Sequence, residues 1–211
     1  RNTCNKHNIV MIFDEISSGF RFNNSATHLD VNVFPDIVVF SKAIGNGYPI
    51  ACIAGNMNVM SSAKDSFISS TTHTESIGFA AMSAVLEFYK NNNVAKILGE
   101  RGAAIKSILT KVSNQYDINV KISGLDQLWS WSFDYDADYN RRLQTIITEQ
   151  MLMNSILFSN RFYPTLGIDP DFYETFEKKL DNAFKMVKII IDNDDDPVEH
   201  IHYGINKLGI Y

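Results

Sequence analysis

Two short apolar runs in this sequence each end beside a charged residue. Residues 9–13 are followed directly by Asp14, and only Ser41 separates residues 37–40 from Lys42. Short runs rich in Val and Ile are typical of strands that are covered on both faces of a parallel α/β sheet. The segment between the runs is long enough for a crossover connection. We therefore expect two neighbouring parallel strands with Asp14 and Lys42 at their carboxyl ends, both buried.

An acid and an amine at this edge of a sheet match the chemistry of pyridoxal phosphate (PLP). Ligands of open α/β sheets bind at the carboxyl ends of the strands. The Lys42 amine can form a Schiff base with the cofactor aldehyde, and the Asp14 carboxylate can keep the pyridine nitrogen protonated. The alternative is structural, with Asp14 capping a turn and Lys42 solvated at the end of a strand.

Two segments around these charges resemble motifs of the class III (fold type I) aminotransferases, which depend on PLP. They are residues 11–21, MIFDEISSGFR, and residues 35–50, PDIVVFSKAIGNGYPI. Their order and spacing also agree with the family. The Gly-Phe-Arg sequence at 19–21 is closer to the glutamate-1-semialdehyde aminomutase branch. The resemblance covers nearly the whole chain, but only the carboxyl-terminal half of a family member.

The resemblance implies a role for each matched residue. Asp14 would pair with the pyridine nitrogen, Ile16 would pack on one ring face, and Lys42 would form the Schiff base and shuttle a proton. Residues 73–79 resemble the segment that reaches the cofactor phosphate of the partner subunit, which implies a homodimer. Thr74 is the candidate there, with Thr72 as the alternative. Thr74 could equally be the N-cap of the following helix.

The second part of the chain continues the resemblance. Residues 151–164 are similar to the carboxyl-terminal lobe of aminomutase-like members, and Arg161 could bind a substrate carboxylate there. Trp129 and Trp131 could stack on a substrate, but an alternating strand favours a core position. His200 and His202 would lie on one side of a strand, where a metal site is conceivable, but no further ligand is spaced to complete it, so we expect a solvated tail and no metal.

The organisation of the chain predicts an α/β fold. We expect a partial large domain with a parallel sheet over 1–92, a linking helix over 93–116 and a smaller α+β carboxyl-terminal lobe over 117–211. Further predicted helices lie at 77–88, 139–153 and 171–191, the last with Asp169 as N-cap and Pro170 at the first helical position. Strands are predicted at 120–122 and 128–133. Glu15 is expected to form an ion pair with a basic neighbour such as Arg21.

Composition limits the partners and the compartment. The 211 residues carry a net charge of −5, which gives no electrostatic case for nucleic acid or an anionic membrane. The two cysteines, Cys4 and Cys52, have no metal or disulfide spacing, so we expect the cytoplasm. The start has no signal-peptide pattern, and a strand lies close to it, so we expect an incomplete domain whose missing part supplies neighbouring strands.

The sequence thus predicts a PLP-dependent transfer of an amino group between a small amino donor and a keto or aldehyde acceptor. One alternative is an aminomutase, which shifts the amino group within one molecule. The alternative from another class is a non-catalytic remnant or a dimerisation fragment.

Overall fold

A computed structural model describes residues 1–71, 73 and 75–205 of the chain. These residues form two compact units, of which the first is Arg1–Ile97 and the second begins at Leu98. The division falls inside the long helix Val94–Gln115, in the segment where the sequence predicts a linking helix. Each unit has its own sheet and its own helices.

The first unit is built around a mixed sheet of three strands. These are β1 (Ile12–Asp14), β2 (Ile37–Phe40) and β3 (Cys52–Gly55), in the order β1-β2-β3. Strands β1 and β2 are parallel, as predicted, and Asp14 lies opposite Val39 in their register. The third strand is antiparallel to β2 and was not predicted, because a short segment that ends in glycine carries little strand signal.

The strands of the first unit are less covered than the sequence suggests. The side chains of Ile9 and Ile12 are 54% and 58% exposed, and Ile9 precedes the strand altogether. The prediction that both faces are covered is therefore wrong for the described residues of this unit. The helices of the unit are α1 (Asn2–His7), α2 (Met57–Met60) and α3 (Ser76–Asn91).

Helix α3 confirms the helix predicted at 77–88, but its apolar residues, which recur at helical spacing, do not form a buried face. Ile77 and Phe88 are both about half exposed, and the buried residue of the helix is Gly78. A stripe with this 3.6-residue period normally faces a core. The described residues of the first unit do not provide that core for α3.

The second unit is an antiparallel sheet packed against helices. Its strands are β4 (Val120–Leu125), β5 (Leu128–Phe133) and β6 (Arg161–Phe162), in the order β4-β5-β6. Its helices are α4 (Val94–Gln115), α5 (Ala137–Met153) and α6 (Phe172–Asn193). The two predicted strands and the three predicted helices are confirmed, and α4 agrees with the helix predicted over 93–116.

The core of the second unit follows from the period of each element. In β5 every second side chain is buried, and in α4, α5 and α6 the buried side chains recur along one helix face. The fully buried residues include Trp129, Phe133, Ile105, Leu109, Leu143, Ile147, Phe176, Leu180 and Phe184. The core position of Trp129 and Trp131 is confirmed, and Trp131 Nε1 donates a hydrogen bond to Ser159 O at 2.9 Å.

The start of α6 differs from the prediction. Asp169 is not the N-cap, because the helix begins at Phe172 after Asp171. The backbone oxygen of Asp169, rather than its side chain, accepts from the Phe172 amide at 3.0 Å. The Pro170 oxygen accepts in the same way from Tyr173, so a tight turn precedes the helix. Carbonyls of the turn satisfy amides that a capping side chain would otherwise reach.

The two histidines near the end of the described chain do not share a strand. His200 ends the 3₁₀ helix Pro197–His200, and its Nε2 lies 3.3 Å from Asp195 Oδ2, while His202 lies in the turn that follows. Among the described residues, no group of three or more His, Cys, Asp or Glu side chains is arranged to hold a metal ion. In the same part of the chain, no helix combines the length and apolar character needed to cross a membrane.

Candidate active site

Asp14 and Lys42 lie at the same edge of the first unit's sheet. Asp14 is the last residue of β1, and Lys42 follows β2 after Ser41. Because β1 and β2 are parallel and Asp14 lies opposite Val39, both strands end side by side. The predicted meeting of an acid and an amine at one sheet edge therefore agrees with the register.

Burial at this edge differs from the prediction. Asp14 and Lys42 are both exposed among the described residues, whereas Glu15 is only 3% exposed. The cause is the strand period, because consecutive side chains point to opposite sides. The loop after β1 covers the face toward which Glu15 points, whereas the face toward which Asp14 points stays open to a ligand.

Ser17 is a residue of the site that the sequence interpretation missed. Lys42 Nζ donates a hydrogen bond to Ser17 Oγ at 2.5 Å. In the same loop the Ile16 amide donates to Asp14 Oδ1 at 3.1 Å, and Ile16 itself is half-buried. The loop 14–17 thus connects the acid to the amine. A hydroxyl so close to Asp14 was the available signal, but only the tertiary contact distinguishes it from a solvated serine.

The backbone at Lys42 has a left-handed conformation. Its φ angle is 46°, and the residue opens the 3₁₀ helix Lys42–Ile44. For a residue with a Cβ this conformation costs on the order of 1–2 kcal/mol. Such outliers cluster at functional sites, where the surrounding structure enforces them. The conformation is consistent with a lysine whose amine is placed for chemistry.

The donor set at this edge fits PLP. Lys42 offers a primary amine on the open side of the sheet. Asp14 Oδ2 makes no hydrogen bond with the residues that the structure describes, so it can accept from a protonated pyridine nitrogen. Ile16 supplies an apolar side chain in the same loop. An amine, a carboxylate and an apolar contact are the groups that the aldehyde, the ring nitrogen and the ring face require.

The carboxylate of Glu15 binds a partner other than the one expected. Its Oε1 lies 2.8 Å from Nδ1 of His28, and backbone amides of Thr27 and His28 donate to its two oxygens. The basic neighbour that Glu15 contacts is therefore His28 and not Arg21, the example given by the sequence prediction. Sequence alone gave no reason to choose this histidine, because the turn that brings it back to β1 has no distinctive motif.

The predicted phosphate-binding residues Thr72 and Thr74 lie outside the described residues. The helix that follows them, α3, has Glu75 as its N-cap. The Glu75 carboxylate accepts from the amides of Ile77 and Gly78 at 2.7 and 3.3 Å. The interpretation of Thr74 as N-cap is therefore wrong. Its assignment to the cofactor phosphate stays a prediction.

Arg161 lines a cleft of the second unit. The cleft has a volume of about 340 Å³, and its lining includes Ser130, Trp129 and Tyr163. Ser130 and Arg161 are paired in the sheet, so their side chains share a face. Trp129 alternates with Ser130 along β5, so its indole lies on the buried face, where Nε1 has no hydrogen-bond partner among the described residues. A guanidinium and a hydroxyl on one face suit an anionic group such as a carboxylate.

Comparison with known proteins agrees with the geometry. The family model of the class III aminotransferases matches residues 1–184. A glutamate-1-semialdehyde 2,1-aminomutase of Lachnoclostridium phytofermentans is 29% identical over 132 residues, which cover 61% of this chain and 31% of the relative. A 3-aminobutyryl-CoA aminotransferase of Cloacimonas acidaminovorans is 28% identical over 74% of this chain and 38% of the relative.

Solved structures share the fold. The FumI protein of Sphingopyxis sp. MTA144, solved in its PLP form, superposes with a TM-score of 0.86 at 20% identity. The superposition covers 96% of this chain and 49% of that protein. The chain therefore spans about a third to a half of the length of these relatives.

Proposed function

The chain belongs to the class III aminotransferase family, and on that premise we propose that it carries the lysine half of a PLP site for amino-group transfer. The observation that carries the proposal is the parallel register that brings Asp14 and Lys42 to one sheet edge. Members of this family use PLP, and the donor set at the edge fits that cofactor.

We propose that each residue at this edge has one task. When bound, the cofactor supplies an aldehyde for covalent attachment and a ring that accepts electrons. Lys42 would hold it through Nζ and, when displaced by the donor, would move a proton at that same atom. Asp14 would keep the ring nitrogen protonated, and Ile16 would exclude water from one ring face. Ser17 would orient Nζ through the 2.5 Å contact.

Two further assignments complete the proposal. Thr74, or Thr72 in its place, would bind the cofactor phosphate of a partner subunit, so the active form would be a homodimer. Arg161 would bind the carboxylate of a small amino donor or keto acceptor in the cleft of the second unit, where the Ser130 hydroxyl shares its face of the sheet. The free thiols of Cys4 and Cys52 support a cytoplasmic location.

The second candidate is an aminomutase. It is favoured by the sequence Gly-Phe-Arg at 19–21 and by the likeness to a glutamate-1-semialdehyde 2,1-aminomutase. The two reactions use the same residues but differ in whether the diamine intermediate leaves the site. An assay with and without a separate keto acceptor distinguishes them. A new keto product that forms only with the acceptor would exclude the aminomutase.

The first experiment is an absorbance titration with PLP. The chain would be prepared alone and within the longest open reading frame that contains it. We expect a visible band that saturates with PLP and is lost in Lys42→Ala. Lys64→Ala is the matched control, because Lys64 lies in the 3₁₀ helix Ser61–Asp65, away from the proposed site. This variant should bind PLP like the unmodified chain.

Two results would refute the assignment of Lys42. One is that the product of the longest open reading frame shows no saturable band, and the other is that the band survives Lys42→Ala. Absence of the band from every form would favour the non-catalytic remnant.

A further inference from the structure

Glu15 is a buried carboxylate directly after Asp14, with several donors around it. Its Oε2 accepts from the Thr27 amide at 2.5 Å, and its Oε1 accepts from the His28 amide at 2.8 Å. His28 Nδ1 lies 2.8 Å from the same Oε1. Each oxygen of Glu15 thus accepts from one backbone amide, and His28 Nδ1 is placed to donate to Oε1 in the tautomer that carries its hydrogen at Nδ1.

The His28 ring contacts two other aromatic rings. The rings of Phe13 and Phe34 meet it edge-on, with centroids 6.3 and 6.1 Å away. The side chain of His28 is 13% exposed. The imidazole thus reaches Glu15 with little conformational freedom to lose. Its donor is oriented before any ligand arrives.

The backbone of Glu15 is part of the sheet edge. Its amide donates to Val39 O of β2 at 2.9 Å, and its oxygen accepts from Gly19 N at 2.9 Å. The side chain is fixed to residues 27–28 and the main chain to β2. The peptide that joins Asp14 to Glu15 is therefore anchored from two directions.

From these contacts we infer that His28 is a positioning residue, which holds Glu15 and through it fixes the Asp14 carboxylate at the sheet edge. The inference rests on the proposed function, because it assumes that Asp14 meets a cofactor. His28 itself touches no reacting atom. It acts through Glu15 on the residue that would meet the cofactor.

The test compares variants of His28 that distinguish the effect of the aromatic ring from the effect of the hydrogen-bond donor at Nδ1. His28→Phe keeps a ring in contact with Phe13 and Phe34 but removes the nitrogen at Nδ1, and His28→Asn keeps an N–H close to the Nδ1 position. His7→Phe is the matched control, since His7 is an exposed histidine in α1. PLP affinity and the wavelength of the visible band would be measured for each variant in the longest form of the protein.

We expect His28→Phe to weaken PLP binding by about tenfold, the order for loss of one charged hydrogen bond, and to shift the visible band. His28→Asn should bind within about twofold of the unmodified protein, and His7→Phe should be unchanged. Equal affinities for His28→Phe and the unmodified protein would overturn the inference. Equal losses in His28→Phe and His28→Asn would also overturn it, because ring shape rather than the donor would then matter.

A second measurement covers a poorly folded His28→Phe protein. Hydrogen exchange at the amides of residues 27 and 28 reports the contacts to Glu15 without any cofactor. We expect slow exchange in the unmodified protein and in His28→Asn; fast exchange in both would overturn the inference. Failure of the proposed function gives a different result, because the unmodified product of the longest open reading frame would then not bind PLP. That result would overturn the inference as well.

Discussion

The left-handed backbone at Lys42 predicts that replacing this residue by glycine gives a more stable protein than replacing it by alanine. Both substitutions remove the amine, so they differ only in the Cβ. At a φ of 46° the Cβ costs on the order of 1–2 kcal/mol, which glycine avoids. Glycine loses more backbone entropy than alanine on folding, which costs about 0.5–1 kcal/mol relative to alanine. The difference leaves Lys42→Gly more stable than Lys42→Ala by roughly 0.5–1 kcal/mol.

Ala43 provides the matched control. It follows Lys42 in the 3₁₀ helix without a positive φ, so Ala43→Gly should destabilise the protein by about 0.5–1 kcal/mol. Urea unfolding of the chain gives the free energies, and a difference of this size moves the midpoint by a few tenths molar for m values of about 1–3 kcal/mol/M. Equal stability of Lys42→Gly and Lys42→Ala, or the reverse order, would refute the argument that position 42 is strained.

Three further predictions concern the framework and are checked by urea unfolding. Leu180→Ala in the core should cost about 3 kcal/mol, while Leu157→Ala, at an 84% exposed side chain, should cost little. Gly102→Ala in α4 should destabilise because its Cβ would lie 1.7 Å from Asp126 O, whereas Gly99→Ala meets only the end of a flexible glutamine. The Met11 amide, then Arg1, lower the pKa of Asp36, so its stabilisation is complete above the ordinary aspartate pKa and lost as pH falls through the lower folded value. The stability gap between the unmodified chain and Asp36→Asn should therefore shrink from pH 7 to pH 3.

The second unit could be predicted almost entirely from the sequence, because its apolar patterns are satisfied inside the unit. The alternation in β5 and the 3.6-residue period in α6 each agree with the observed burial of Trp129, Phe133 and Leu180. The start of α6 was misplaced, since the turn before Phe172 uses backbone oxygens that leave no sequence signature.

The first unit shows what such patterns cannot supply. Strand β1 and helix α3 have apolar sequences, but Ile12 and Ile77 stay exposed among the described residues. Apolar periodicity predicts which side of an element prefers burial and not what covers it.

At the site, the sequence spacing was enough to predict that Asp14 and Lys42 lie at one edge of the sheet. Two contacts could not be predicted from it. The hydrogen bond from Lys42 to Ser17 and the contact of Glu15 with His28 both depend on loop paths. Loop paths are set by tertiary packing rather than by local propensity.

Covalent labelling tests the central claim that Lys42 is the cofactor-binding residue most directly. The longest form of the protein would be incubated with PLP, reduced with borohydride and digested, and the modified peptide would be identified by mass spectrometry. We expect the label on Lys42 and no label in Lys42→Ala. A label on another lysine, or one spread evenly over the exposed lysines, would contradict it.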